Sequence, residues 1–153
     1  EEAALEANML ELEVTENAVF RDPERTIELL KKLKQLGVRI ALDDFGAGYS
    51  SLFRLEMLPI DRIKIDQHLF QETSDGYQDK AVVENVFELV KSTNISVIAE
   101  GVENDRQIDF IVEKGCQEVQ GYYYYRPMPP EEVEALLLEK GRKGSPTNSP
   151  GDT

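Results

Sequence analysis

Runs with the two-residue alternation of β-strands recur five times along the chain, separated by runs with amphipathic-helix spacing. This repeat limits the fold to a parallel sheet dressed with helices. Strands are predicted at residues 10–15 (LELEVT), 38–43, 62–66 (RIKID), 95–100 (ISVIAE) and 118–123. Helices are predicted at residues 23–36, 51–58, 79–92, 105–114 and 130–140. The first has Asp22 as N-cap, Pro23 at its first position and Gly37 at its stop, and Gly115 stops the helix that begins at Asp105. Residues 1–9 read as the tail of a helix, and residues 141–153 as a polar tail expected to be mobile.

An open doubly wound sheet and a β/α barrel both fit this repeat, and the side-chain pattern favours the barrel. Doubly wound strands are buried on both faces and read as near-continuous apolar runs. Here Leu10, Leu12 and Val14 share one face, and Glu11, Glu13 and Thr15 the other. Ile63 and Ile65 likewise oppose Arg62, Lys64 and Asp66. One face suits outer helices, while the other sends polar groups to a common centre. Barrel sites form at C-terminal strand ends, and Glu13, Asp43, Lys64, Glu100 and Gln120 each lie near one. About five βα units are present where such a barrel has eight strands, so the chain is expected to be the C-terminal portion of a modified TIM-type α/β barrel.

Composition narrows the function classes. Among 153 residues the formal charge is -13, which argues against DNA binding through clustered Lys and Arg. No apolar stretch is long enough to insert in a membrane, and the single cysteine, Cys116, fits a reducing cytoplasmic setting.

Asp43 and Asp44 stand side by side between an apolar strand and the glycine-rich turn FGAGYSS. Adjacent like charges repel unless a cation lies between them. Any single acid could be a solvated strand end or a helix cap. Glu13, Asp43, Asp44 and Glu100 placed on one mouth, with Lys64 alone against them, call instead for hard divalent cations, Mg²⁺ or Mn²⁺ rather than zinc. Two such ions sharing a carboxylate are the usual arrangement for phosphodiester hydrolysis, with Lys64 holding water or phosphate.

Five blocks, LELEVTEN, DDFGAGYSS, LPIDRIKID, IAEGVEN and QGYYYYRPMP, occur in an order that resembles the signature blocks of EAL domains, bacterial cyclic di-GMP phosphodiesterases. The likeness extends to about Lys140, with 141–153 beyond it as the tail. It implies a signalling hydrolase that cuts cyclic di-GMP to linear pGpG with two Mg²⁺ or Mn²⁺ ions. By motif position Glu13 would serve the first ion, Asp43 both, and Asp44 and Glu100 the second, with Glu100 and Lys64 at the chemistry and Lys64 on the water. Gln120 and Glu103 resemble supporting pocket residues, Glu16 the glutamate that steadies the loop after Asp44, and Arg126 part of a segment closing the pocket near a guanine. The same loop and the helix after it are linked in the family to homodimers.

The Glu-Ala-Leu signature and the metal-binding asparagine that follows it belong to the upstream part of such a barrel. Without them the isolated chain is expected to be inactive or weak. The alternatives are a catalytically silent cyclic di-GMP receptor and a dimerisation or regulatory module. His68 has no second ligand near it and reads as a surface or packing residue, Cys116 as a small buried hydrophobe, and the acidic last helix as a packed barrel helix.

Overall fold

A computed structural model describes residues 5–45, 55, 57–73, 76–77 and 80–143. After a 3-10 turn at Ala7–Met9, where a helix tail was expected, the elements are β1 (Glu11–Thr15), α1 (Glu16–Arg21), α2 (Pro23–Gln35), β2 (Arg39–Phe45) and β3 (Arg62–Ile65). A 3-10 turn at Gln67–Phe70 leads to a two-residue-stranded hairpin, β4 (Glu72–Thr73) and β5 (Gly76–Tyr77). Then come α3 (Lys80–Lys91), β6 (Ser96–Glu100), α4 (Asp105–Glu113), β7 (Glu118–Gln120) and α5 (Pro130–Lys143). Five of the eight residues of the predicted helix at 51–58 lie outside the described residues, as does most of the predicted tail.

Five strands form one parallel sheet in the order β1-β2-β3-β6-β7, the α/β architecture expected from the repeat. Its outer face is apolar. Ile40, Leu42, Ile63, Ile65, Val97 and Ala99 pack against Leu30 of α2, Val83, Val86 and Phe87 of α3, and Phe110 and Ile111 of α4. Each fully buried side chain of this size contributes about 1.5–3 kcal/mol of transfer free energy, so this layer holds the helices on. Local signals set the helix bounds. The Asp22 carboxylate accepts from the Arg25 N–H at 3.4 Å, and Gly37 takes the left-handed φ of 88° that ends the α2 region.

The inner face carries the charges, and its curvature can be read from one guanidinium. Arg62, on the central strand, reaches Glu11 of β1 at 3.3 Å and Glu118 of β7 at 2.9 Å. These are the two edge strands. A flat sheet could not bring both edges to one side chain, so the five strands are curled around this face.

Three further expectations need correction. The last strand stops at Gln120 rather than 123, and Tyr122 to Tyr124 form a turn with exposed rings. Alternation therefore says nothing about which tyrosine faces inward. Helix α5 has no buried residue among those whose burial is described, and its Val133, Leu137 and Leu138 are exposed, so it does not pack on the sheet as a barrel helix would. Strand β2 runs on to Phe45 instead of stopping at Asp43.

Candidate active site

The extension of β2 carries both neighbouring acids through an irregular stretch of the sheet. Leu42 pairs with Ile63 and Phe45 with Ile65, so Asp43 and Asp44 together stand opposite the single residue Lys64. This is a β-bulge, the device that re-aims side chains at sheet rims. Leu42 and Phe45 both stay in the core, at 0% exposure, while the acids occupy the extra position between them. Asp44 adopts φ 55°, the left-handed region that Asp tolerates better than most side chains. Strict alternation would have put Asp43 and Asp44 on opposite faces.

Lys64, 7% exposed, is the hub. Its Nζ lies 2.5 Å from Glu13 Oε1 on β1, 3.0 Å from Glu100 Oε1 on β6 and 3.3 Å from Asp43 Oδ1 on β2. Three of the four acids expected at one mouth therefore meet there. Asp44, the next residue in the chain, is exposed to solvent. Burial works against the ammonium, but hydrogen bonds to Glu13 and Glu100 and the charges of Glu100 and Asp43 overcome it, leaving the Lys64 pKa well above its ordinary value. Glu100 shifts the other way for a carboxylate. Burial raises its pKa, the Lys64 contact opposes this, and the charges of Asp43 and Glu13 add to the rise.

Asp43 Oδ1 is buried and makes no hydrogen bond among the described residues; the 3.3 Å approach to Lys64 is a charge contact only. A buried acceptor with no donor costs free energy unless a cation or solvent meets it. The donors here are all carboxylates, the set that suits Mg²⁺ or Mn²⁺. Among the described residues no three acid, His or Cys side chains are spaced as a ready cation cage, because the ammonium stands between the carboxylates. The donor chemistry fits hard cations, and further ligands would be needed to complete their shells.

A cavity of about 580 Å³ opens beside this cluster, lined by Gln67, Gly101, Glu103, Gln120, Gly121, Tyr122, Tyr125, Arg126 and Pro127. The register pairs Glu100 with Gln120, so the cavity and the acid cluster share two strand ends. Glu103 is held in place by the α4 cap. Its N–H donates to Gln107 Oε1 at 2.7 Å, while the Gln107 N–H donates to Asn104 Oδ1 at 3.0 Å. The Arg126 guanidinium lies over the Tyr122 ring at 4.9 Å, a charged plate on an aromatic one. Glu16, 5% exposed, opens α1 directly after β1. The loop it was expected to steady lies outside the described residues. His68 is exposed and bonds to Asp66, and Cys116 is buried, as read from sequence.

Three pocket residues were missed. Gln67 lies on a 3-10 turn that no periodicity announces. Gly101 leaves room for the Gln67 side chain and Gly121 for the Val102 backbone, and their only sequence signal was being glycines at strand ends.

The half-curled parallel sheet with a lysine-centred acid cluster at its C-terminal rim defines a TIM-barrel-like α/β domain of which this chain covers part. The EAL domain profile matches residues 1–127, and the chain belongs to the EAL domain family. It is 40% identical over 137 residues to the cyclic di-GMP phosphodiesterase NbdA of Pseudomonas aeruginosa, covering 90% of this chain and 18% of that protein. The structure described as the PaMucR phosphodiesterase, c-di-GMP complex, superposes with TM-score 0.76 at 41% identity, covering 85% of this chain and 53% of that one. The Klebsiella pneumoniae BlrP1 manganese/cy-diGMP complex gives TM-score 0.73 at 32% identity, over 80% and 31% of the two chains. The chain thus spans about a fifth of its curated relatives and about half of the solved PaMucR chain. Glu134-Ala135-Leu136 in α5 spells the family's name but lies on an exposed helix after the last strand.

Proposed function

We propose that this chain supplies the substrate-facing portion of a domain that hydrolyses cyclic di-GMP to linear pGpG. The observation that carries the reading is Lys64 Nζ within 3.3 Å of carboxylates from three different strands, beside a cavity large enough for a nucleobase. Glu13, Asp43, Asp44 and Glu100 would hold the divalent ions, Mg²⁺ or Mn²⁺. Bound there, such ions supply Lewis-acid charge beside the phosphate and lower the pKa of attacking water.

The protein's own groups divide the remaining work. Lys64, whose pKa its carboxylate neighbours raise, would donate hydrogen bonds from its ammonium to a phosphate or water oxygen. Glu100, in contact with the Lys64 ammonium, would stand at the reacting phosphate, where the proton lost by attacking water as the new P–O bond forms ends on the O3′ oxygen released as the P–O3′ bond breaks. Gln120, Glu103 and Arg126 bind and orient the nucleotide. Because the chain covers about half of the relative's domain, its turnover alone should be weak. A homodimer through the FGAGYSS loop and the helix at 51–58 belongs to the same reading, and most of that segment lies outside the described residues.

The test is Mn²⁺-dependent conversion of cyclic di-GMP to pGpG, followed by chromatography, in the longest protein carrying this chain. Lys64→Met should lower turnover at least 100-fold, in line with the loss of a preorganised charge at the reacting group. Turnover within threefold of wild type would remove Lys64 from the chemistry.

A further inference from the structure

Resting on that reading of the site, we propose that Gln67 is a specificity-determining residue, its carboxamide reading the hydrogen-bonding edge of a nucleobase in the cavity beside Glu100. The Gln67 side chain lies flat on Gly101. A Cβ built on that glycine would fall 2.9 Å from both Gln67 Cβ and Cδ and 3.0 Å from Oε1, well inside ordinary contact. Gly101 also holds φ 70°, which an L side chain adopts at a cost. The glycine therefore makes the bed on which the glutamine rests.

The backbone beneath Gln67 is pinned from both directions. Asp66 accepts from the His68 N–H at 2.8 Å, and Leu69 and Phe70, at 2% and 0% exposure, anchor the turn in the core. On the other side, Val102 donates its N–H to the Gln120 carbonyl at 3.2 Å and accepts from the Tyr123 N–H at 3.0 Å. The loop carrying Gly101 is thus stitched to the strand carrying Gln120.

Held in this way, the Gln67 amide makes no hydrogen bond to another described residue, although it lines the cavity with Glu103, Gln120 and Arg126. An amide offers both a donor and an acceptor, and a base edge presents both. The Arg126–Tyr122 pair supplies a flat surface on which such a ring can stack. A group so placed contributes to binding of the base and leaves the cations to the acid cluster.

The test measures calorimetric binding of cyclic di-GMP and of cyclic di-AMP, with Ca²⁺ present, to the longest protein carrying this chain as wild type, Gln67→Leu and Gly101→Ala. Mn²⁺ binding and the unfolding temperature of each variant serve as readouts that a merely structural role would move together. The expected result for Gln67→Leu is roughly tenfold weaker cyclic di-GMP binding, the loss of one good hydrogen bond. The preference over cyclic di-AMP should narrow, with Mn²⁺ affinity and unfolding temperature unchanged. Gly101→Ala should reproduce the loss by displacing the glutamine. Gln67→Leu with unchanged affinity and preference overturns the inference alone. A wild type that binds neither dinucleotide overturns the reading of the whole site and this inference with it.

Discussion

The Lys64 ammonium lies 2.5 Å from Glu13 Oε1 although 51 residues separate them in the chain. Only a parallel sheet with β1 and β3 on either side of β2 brings these side chains to one face. The same ammonium meets Asp43 and Glu100, so one cation stands against three carboxylates. This imbalance gives the site its chemistry and sets the consequences of changing it.

Removing the cation should cost the most. Lys64→Met leaves Asp43 and Glu100, both mostly buried, without their counter-charge. The expected destabilisation is about 2–4 kcal/mol, read from urea unfolding in EDTA. Added Mn²⁺ should recover more stability in this variant than in wild type, since a divalent ion can take over the neutralising role. Equal recovery would separate the ammonium from the cation site.

The pH dependence follows from Glu100. Its pKa is raised on folding, mainly by burial, so its favourable share of stability is fully present below the unfolded value of 4.5. That share is lost as pH rises through the folded value, where the buried group must ionise. Glu100→Gln removes this loss. The variant's stability relative to wild type should therefore grow from pH 4 to pH 7 in EDTA, and a difference that shrinks over that window would reverse the assigned shift.

Much of this arrangement was legible beforehand, and the exceptions have physical causes. Alternation placed Glu13, Lys64 and Glu100 on one face because a two-residue period needs no tertiary information. It failed at Asp43-Asp44, where a bulge changes the count, and a bulge depends on the partner strand. It failed again at the tyrosines, where Gly121 ends β7 and the following residues turn. The periodicity of α5 was real, but an amphipathic pattern says only that a face can be buried, and Val133 and Leu137 remain exposed. Gln67 left no trace because its place depends on an absent side chain 34 positions later, at Gly101.

At the opposite end of the strands, Arg62 joins Glu11, Glu118 and the Ser96 hydroxyl. This contact ties both edges of the sheet to its centre. Arg62→Met should lower stability by about 1–2 kcal/mol, a value discounted for the partial exposure of Glu118. The destabilisation should shrink at high salt, where the wild-type contact is screened, and a salt-independent loss would assign it to packing.

Gly121 tests the cavity wall. A Cβ there would fall 2.0 Å from the Val102 carbonyl oxygen, a backbone atom that cannot swing aside. Gly121→Ala should separate the loop of Glu103 from the strand of Gln120 and cost about 1–3 kcal/mol. Wild-type stability in a melt would show that the two backbones are not in contact.

The central claim is that Asp43, with a buried oxygen left without a hydrogen bond, serves divalent cations at a cyclic di-GMP site. Titrating Mn²⁺ into wild type and Asp43→Asn by calorimetry, with and without cyclic di-GMP, addresses it directly. Wild type should bind the ion more tightly when the dinucleotide is present, and Asp43→Asn should lose that binding while unfolding at the same temperature as wild type or higher. Cation binding that survives the substitution, with the dinucleotide still coupled to it, would contradict the account.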